Sequence, residues 1–143
     1  MSDVLGHRLG SAPLWDVEEI LTLDRVRRYA RASGDTNAIH IDPAAAHAAG
    51  LAAPVAHGFL LIALVLKYAQ RWAHHNGNRI TACDTRFVRP VYVGERPAVL
   101  HLTGQQISPG HINATVWILD DDGITHRAVI RPIRICFEPD PVR

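Results

Sequence analysis

VAHGFLLIALVLKYAQRWAHH, residues 55–75, is the longest helical signal in the chain, apolar on nearly every side through Leu66 and polar after it. A helix that is apolar all round has no solvent face, so it is predicted to be buried. At ~1.5 Å per residue the run makes a rod of about 30 Å, enough to span a small sheet. The residues that follow supply that sheet. RITACDTRFVRPVYV (79–93) alternates at its start and is halted by Pro90 and Gly94. RPAVLHLTGQQIS (96–108) ends at the turn SPGH, INATVWILD (112–120) ends at DDDG, and ITHRAVIRPIRICFE (124–138) closes the chain. Alternation in the last two implies one packed face and one wet face. A buried helix followed by antiparallel strands on tight turns predicts an α+β fold, its sheet wrapped round the helix and its helices on one face.

Two shorter helices are expected ahead of the long one. In LTLDRVRRYARASGD (21–35), Thr22 or Asp24 can cap the start, Val26, Tyr29 and Ala30 form the apolar stripe, and Gly34 offers a left-handed exit. In IDPAAAHAAGLAAP (41–54), Asp42 is the N-cap, Pro43 the first helical residue and Gly50 the stop. No repeat or linker divides the 143 residues, so residues 1–143 read as one domain.

Composition narrows the partners. A formal net charge of +1 gives no electrostatic case for nucleic acid. The longest strongly apolar run, Phe59–Leu66, is far short of the roughly 20 residues of a membrane span. The N-terminus lacks the charged-then-apolar order of a signal peptide, so a cytoplasmic location is the expectation. Cys83 and Cys136 fall in expected strands without metal spacing and read as buried free thiols. The nine histidines show no paired ligand spacing, and no metal site is expected. Trp72 and Trp117 read as packing residues.

The chemistry is concentrated between the two short helices. SGDTNAIHID (33–42) places an acid (Asp35), an amide (Asn37) and an imidazole (His40) within six residues. A carboxylate and an imidazole aimed into one cleft can move protons near neutral pH. Asn37 and Asp42 can fold back on the backbone and stiffen the turn. Downstream, APVAHGFL opens the long helix. The first amides of a helix lack intrahelical partners and carry the positive end of its dipole. The Gly58 amide can therefore hold an oxygen on which charge develops, and the missing side chain lets a substrate come close. The chemistry these residues suggest is proton transfer next to a carbonyl, with the enolate held by backbone amides. The alternative is that Asp35 and Asn37 only cap a turn, His40 only satisfies a carbonyl, and Gly58 only admits a packing neighbour.

The two motifs together resemble the MaoC-like, (R)-specific enoyl-CoA hydratase family, which has the hot-dog fold. YARASGDTNAIHID (29–42) resembles the family's hydratase motif, an aromatic and a small residue followed by Gly-Asp-x-Asn-Pro-[Ile/Leu/Val]-His. GLAAPVAHGFLL (50–61) resembles its Gly-x-x-x-Pro-Ile-Ala-His-Gly-Met segment, and FVRPVYVGE (87–95) its later Phe-x-x-Pro-Val-x-x-Gly-Asp strand. Order and spacing agree over roughly residues 22–96. The resemblance implies that Asp35 and His40 are the catalytic pair around one activated water, oriented by Asn37, with the Gly58 amide in the oxyanion hole. It implies reversible syn addition of water to a trans-2-enoyl thioester, giving an (R)-3-hydroxyacyl thioester. No metal or redox cofactor is then needed, because the thioester itself acidifies the α-carbon. The implied partner is an acyl-CoA or acyl-carrier thioester, and the implied assembly a homodimer or higher homo-oligomer with active sites near the interface.

This chain departs from the motif at Ala38, where the family has proline, and at Phe59, where it has methionine. Alanine can take the same dihedrals at some entropic cost. Phe59 is expected to reshape the acyl tunnel. His57 is expected to pack beside the substrate and orient the site rather than react. Arg86 and Arg89, together with Arg96, lie round the Phe-Val-Arg-Pro stretch, either as a solvated face or as contacts for the phosphates of CoA or phosphopantetheine. A hot-dog module that binds acyl thioesters without hydrating them, and a thioesterase on the same fold, remain the competing readings.

Overall fold

The computed structural model describes residues 12–120 and 122–142. Among the described residues, β1 (Trp15–Leu21) and three helices, α1 (Leu23–Ser33), α2 (Ala38–Ile41) and α3 (Pro43–Ala48), precede the long helix α4 (Gly58–His75). Strands β2 (Asn78–Asp84), β3 (Ala98–Ser108), β4 (His111–Leu119), β5 (His126–Ala128) and β6 (Ile133–Pro139) follow. They form one six-stranded sheet in the order β1-β3-β4-β6-β2, with β5 alongside β4. Every ladder is antiparallel.

The sheet curls round α4 because the two share one set of apolar side chains. Leu60, Leu61, Leu64, Val65, Ala69 and Ala73 of α4 are buried. All but Ala73 belong to the same core as Leu100 and Leu102 of β3, Ile112, Ala114 and Val116 of β4, and Ile133 and Ile135 of β6. The alternation expected for β4 is observed, with Ile112, Ala114 and Val116 inward. Each large aliphatic side chain buried this way contributes roughly 1.5–3 kcal/mol. The α+β fold with a wrapped helix is therefore the one expected. No helix among the described residues is long and apolar enough to cross a membrane.

The local caps follow the sequence closely. Thr22 accepts from the Arg25 amide at 3.2 Å, Gly34 leaves α1 at φ +80°, and Asp42 caps α3 ahead of Pro43. Several details differ from expectation, among them the expected last strand, 124–138, which is split into β5 and β6, and the extra helical turn α2. The long helix starts at Gly58, because residues 54–56 are held extended: Ala56 N donates to Val91 O (2.9 Å) and Val93 N to Pro54 O (2.7 Å). The stretch 79–93 is a strand only to Asp84, and its remainder makes isolated bridges at Phe87 and Tyr92. Cys83 is exposed and Cys136 half-buried, because Cys83 lies on the edge strand β2, which is covered by a neighbour on one side only. Trp72 packs edge-on against Phe137 with ring centroids 4.9 Å apart, but Trp117 lies on the wet face of β4, 36% exposed.

β1 has no counterpart among the expected elements. Its inward positions include Glu19, 8% exposed, which breaks the apolar alternation. Burial alone would raise the pKa of this carboxyl. Hydrogen bonds from Lys67, Tyr68 (2.6 Å) and Arg25 (3.0 Å) more than offset that and hold it at about 2. One carboxylate thus ties β1, the start of α1 and the middle of α4.

Candidate active site

The polar loop is built by short-range hydrogen bonds. The Asn37 side chain accepts from Ile39 N at 3.2 Å and so starts α2, the single turn that carries His40. Asn37 N points at Asp35 Oδ1, 3.4 Å away, and Asn37 O accepts from His40 N at 3.0 Å. Asn37 thus fixes the acid on one side and the imidazole on the other. Ala38, at the proline position of the motif, is the first residue of α2 and accepts from Asp42 N at 2.9 Å.

The His40 ring spans two elements. Its Nδ1 donates to Val55 O at 2.5 Å, at the approach to α4. A neutral ring donating through Nδ1 leaves Nε2 with a lone pair. That Nε2 lies 3.9 Å from Asp35 Oδ2. The separation is too long for a direct hydrogen bond, and it is one across which a single water can donate to both atoms.

His57 holds this arrangement from beneath. It is 3% exposed, stacks on His40 with ring centroids 3.8 Å apart, and receives the edge of Tyr29 at 4.8 Å. Its Nε2 donates to Asp35 O at 2.9 Å, and its buried Nδ1 has no hydrogen-bond partner among the described residues. His57 thus touches both members of the pair. Asp35, His40 and His57 also bring three ligand-type atoms within 4.8 Å of one another. The nine histidines give no such grouping by spacing, because His40 and His57 lie 17 residues apart and meet only in the folded chain.

Beside His40 opens a cavity of about 450 Å³, lined by His40, Val55, Ala56, Gly58, Phe59, Leu61 and residues 87–91; Asp35, Asn37 and His57 do not line it. Its walls are mostly apolar, with His40 and Arg89 the charged or titratable side chains among them, as suits a small-molecule site. Gly58 is the first residue of α4, and its amide has no acceptor within the helix. The group that comes close to Gly58 is the Phe87 ring. A Cβ built on Gly58 would lie 2.5 Å from Phe87 Cζ. Sequence reasoning does not find this contact, because the partners are far apart in the chain and nothing local to either marks it.

The other expected residues divide. Phe59 lines the cavity and is 74% exposed, at its mouth rather than deep in a tunnel. Arg89 lines the cavity; Arg86 does not, although both are exposed.

Comparison with known proteins identifies the family and the fold. A family model described as a MaoC like domain matches residues 6–111. The 3-hydroxyacyl-thioester dehydratase Z of Mycobacterium tuberculosis is 32% identical over 102 residues, which cover 67% of this chain and 68% of that protein. A fatty acid synthase subunit beta of Gibberella zeae is 31% identical over 114 residues, 69% of this chain but only 6% of that protein. Among solved structures, the (R)-hydratase from A. caviae involved in PHA biosynthesis is similar with a TM-score of 0.66 and 20% identity, covering 87% of this chain and 92% of that one.

Proposed function

The chain belongs to the MaoC-like dehydratase family, and on that premise we propose that it is a hydro-lyase adding water reversibly to a trans-2-enoyl thioester to give an (R)-3-hydroxyacyl thioester. The observation that carries this reading is the 3.9 Å gap between His40 Nε2 and Asp35 Oδ2, beside a cavity that also contains the first residue of α4. A water in that gap donates one hydrogen to each group. Its oxygen attacks C3 of the enoyl group while the pair takes up a proton. The electron pair moves through C2 to the thioester oxygen, where the Gly58 amide and the helix dipole stabilise the charge. The pair then returns a proton to C2 from the same side, so hydrogen and hydroxyl add to one face. Asn37 and His57 keep the two groups in register, which matters because an ångström of misplacement costs much of the rate. The substrate is an acyl-CoA or acyl-carrier thioester, and the working unit is a homodimer.

Loss of the conjugated enoyl absorbance of crotonyl-CoA tests the reading directly. Asp35→Asn and His40→Ala are each expected to lower kcat/KM by roughly 10²–10⁴-fold. Full activity in both variants, or release of free thiol without hydration, would overturn the assignment.

A further inference from the structure

The turn that carries His40, α2, has four residues and none of them is buried. Burial therefore does little to fix its orientation, and the task falls to contacts from outside the turn. Most of these come from one short segment. Val55 N donates to Ile39 O at 3.1 Å, Val55 O accepts from His40 Nδ1, and His57, two residues on, stacks on the His40 ring. Contacts gathered at one segment leave a turn free to pivot about it. A further bond comes from a different element. Arg27 lies on α1, and its Nε donates at 3.1 Å to Ile41 O, the carbonyl of the last residue of α2. The last carbonyls of a helix lack intrahelical donors, and an arginine side chain can supply one.

The origin of that bond on α1 matters, because Asp35 follows two residues after the helix ends at Ser33. One helix leads into the acid at its end and grips the turn of the imidazole from its middle. Arg25 and Arg28 of the same helix pair with Glu19 (3.0 Å) and Asp24 (3.4 Å), whereas among the described residues no carboxylate lies within ion-pair distance of Arg27. We propose that Arg27 is a positioning residue, which stops α2 from pivoting and so holds the 3.9 Å gap between His40 Nε2 and Asp35 Oδ2. Arg27 does not line the cavity, so it acts on the pair and not on the bound molecule. The proposal rests on the hydro-lyase reading for what happens in the gap. Ala38 provides an independent handle on the same turn. Its amide, at the first helical position, has no acceptor within α2, and Asn37 before it sits at φ −54° and ψ 128°. Both conditions admit a proline, which would stiffen the turn from within.

The test follows hydration of crotonyl-CoA by Arg27→Ala, Arg27→Lys, Ala38→Pro and the Arg27→Ala, Ala38→Pro double variant. Arg27→Ala should lower kcat about fivefold, the worth of one hydrogen bond at an exposed site, with KM nearly unchanged. Arg27→Lys should lose less, because the ammonium can still donate to the carbonyl. Ala38→Pro should recover most of the lost kcat in the Arg27→Ala background and raise that of the parent less. A kcat in Arg27→Ala equal to that of the parent, a change in KM alone, or a loss that Ala38→Pro leaves untouched overturns the proposal. If the parent hydrates neither crotonyl-CoA nor a crotonyl carrier-protein conjugate, the hydro-lyase reading fails by itself. The hold of Arg27 on the turn is then judged by amide hydrogen exchange at Asp42, whose N–H closes α2 on Ala38 O at 2.9 Å. Exchange there should be about fivefold faster in Arg27→Ala and slowed again by Ala38→Pro; equal rates in parent and Arg27→Ala overturn it.

Discussion

At the scale of single residues, Gly58 is the position where the sequence leaves two reasons open for the same amino acid, a glycine that admits substrate and one that admits a packing neighbour. The structure places the Phe87 ring on it, with 2.5 Å between Phe87 Cζ and the point a Cβ would occupy. Phe87 is 51% exposed and its ring is the free end of a side chain, so it can swing aside. Gly58→Ala is therefore expected to cost only about 1 kcal/mol of stability while displacing the ring that lines the cavity. In a double-mutant cycle, Phe87→Ala should remove most of that cost, read as positive coupling in denaturant melts. Additive losses would mean that the ring and the glycine do not constrain each other. Asp35, Asn37 and His40 are legible in the sequence because hydrogen bonds between residues two or three apart shape their turn. The Phe87 contact is not, because it arises only once the sheet has closed on α4.

At the scale of elements, caps are local and can be read from neighbouring residues, whereas boundaries set by tertiary pairing cannot. The start of α4 is fixed by the bonds from residues 54–56 to 91–93, partners too distant to be seen in a window of sequence. β1 is hidden by Glu19, an acid on the inward face. That acid makes a prediction of its own. Its folded pKa of about 2 lies below the ordinary 4.5, so its contribution is fully present above about pH 4.5 and is lost as the pH falls toward 2. A depression of that size corresponds to roughly 3 kcal/mol at most. Glu19→Gln should lower stability at pH 7 by about 2 kcal/mol and flatten the dependence between pH 4.5 and 2. Urea unfolding at pH 7 and pH 3 measures both, and equal slopes for parent and variant would show that the cluster carries no such linkage.

At the scale of the whole molecule, the alternating and all-round apolar patterns are enough to give the wrapped helix, because one core decides both. Strand order is beyond them, since β4 pairs with three strands, β3, β5 and β6. The sheet ends at β2, where residues 81–84 are exposed, and Phe59 is exposed at the cavity mouth. An uncovered edge strand invites another strand. The proposed homodimer predicts a sedimenting species of twice the 15.8 kDa chain, and a single-chain mass at micromolar concentration would exclude it. Lys67 is the chain's only lysine, and it is held by Glu19 at the joint of β1, α1 and α4. Amine-directed reagents therefore have one side-chain target in the entire protein, and its rate of acylation becomes a gauge of whether that joint is closed. A dye or cross-linker placed there would report on the packing of three elements at once, without touching the residues assigned to catalysis.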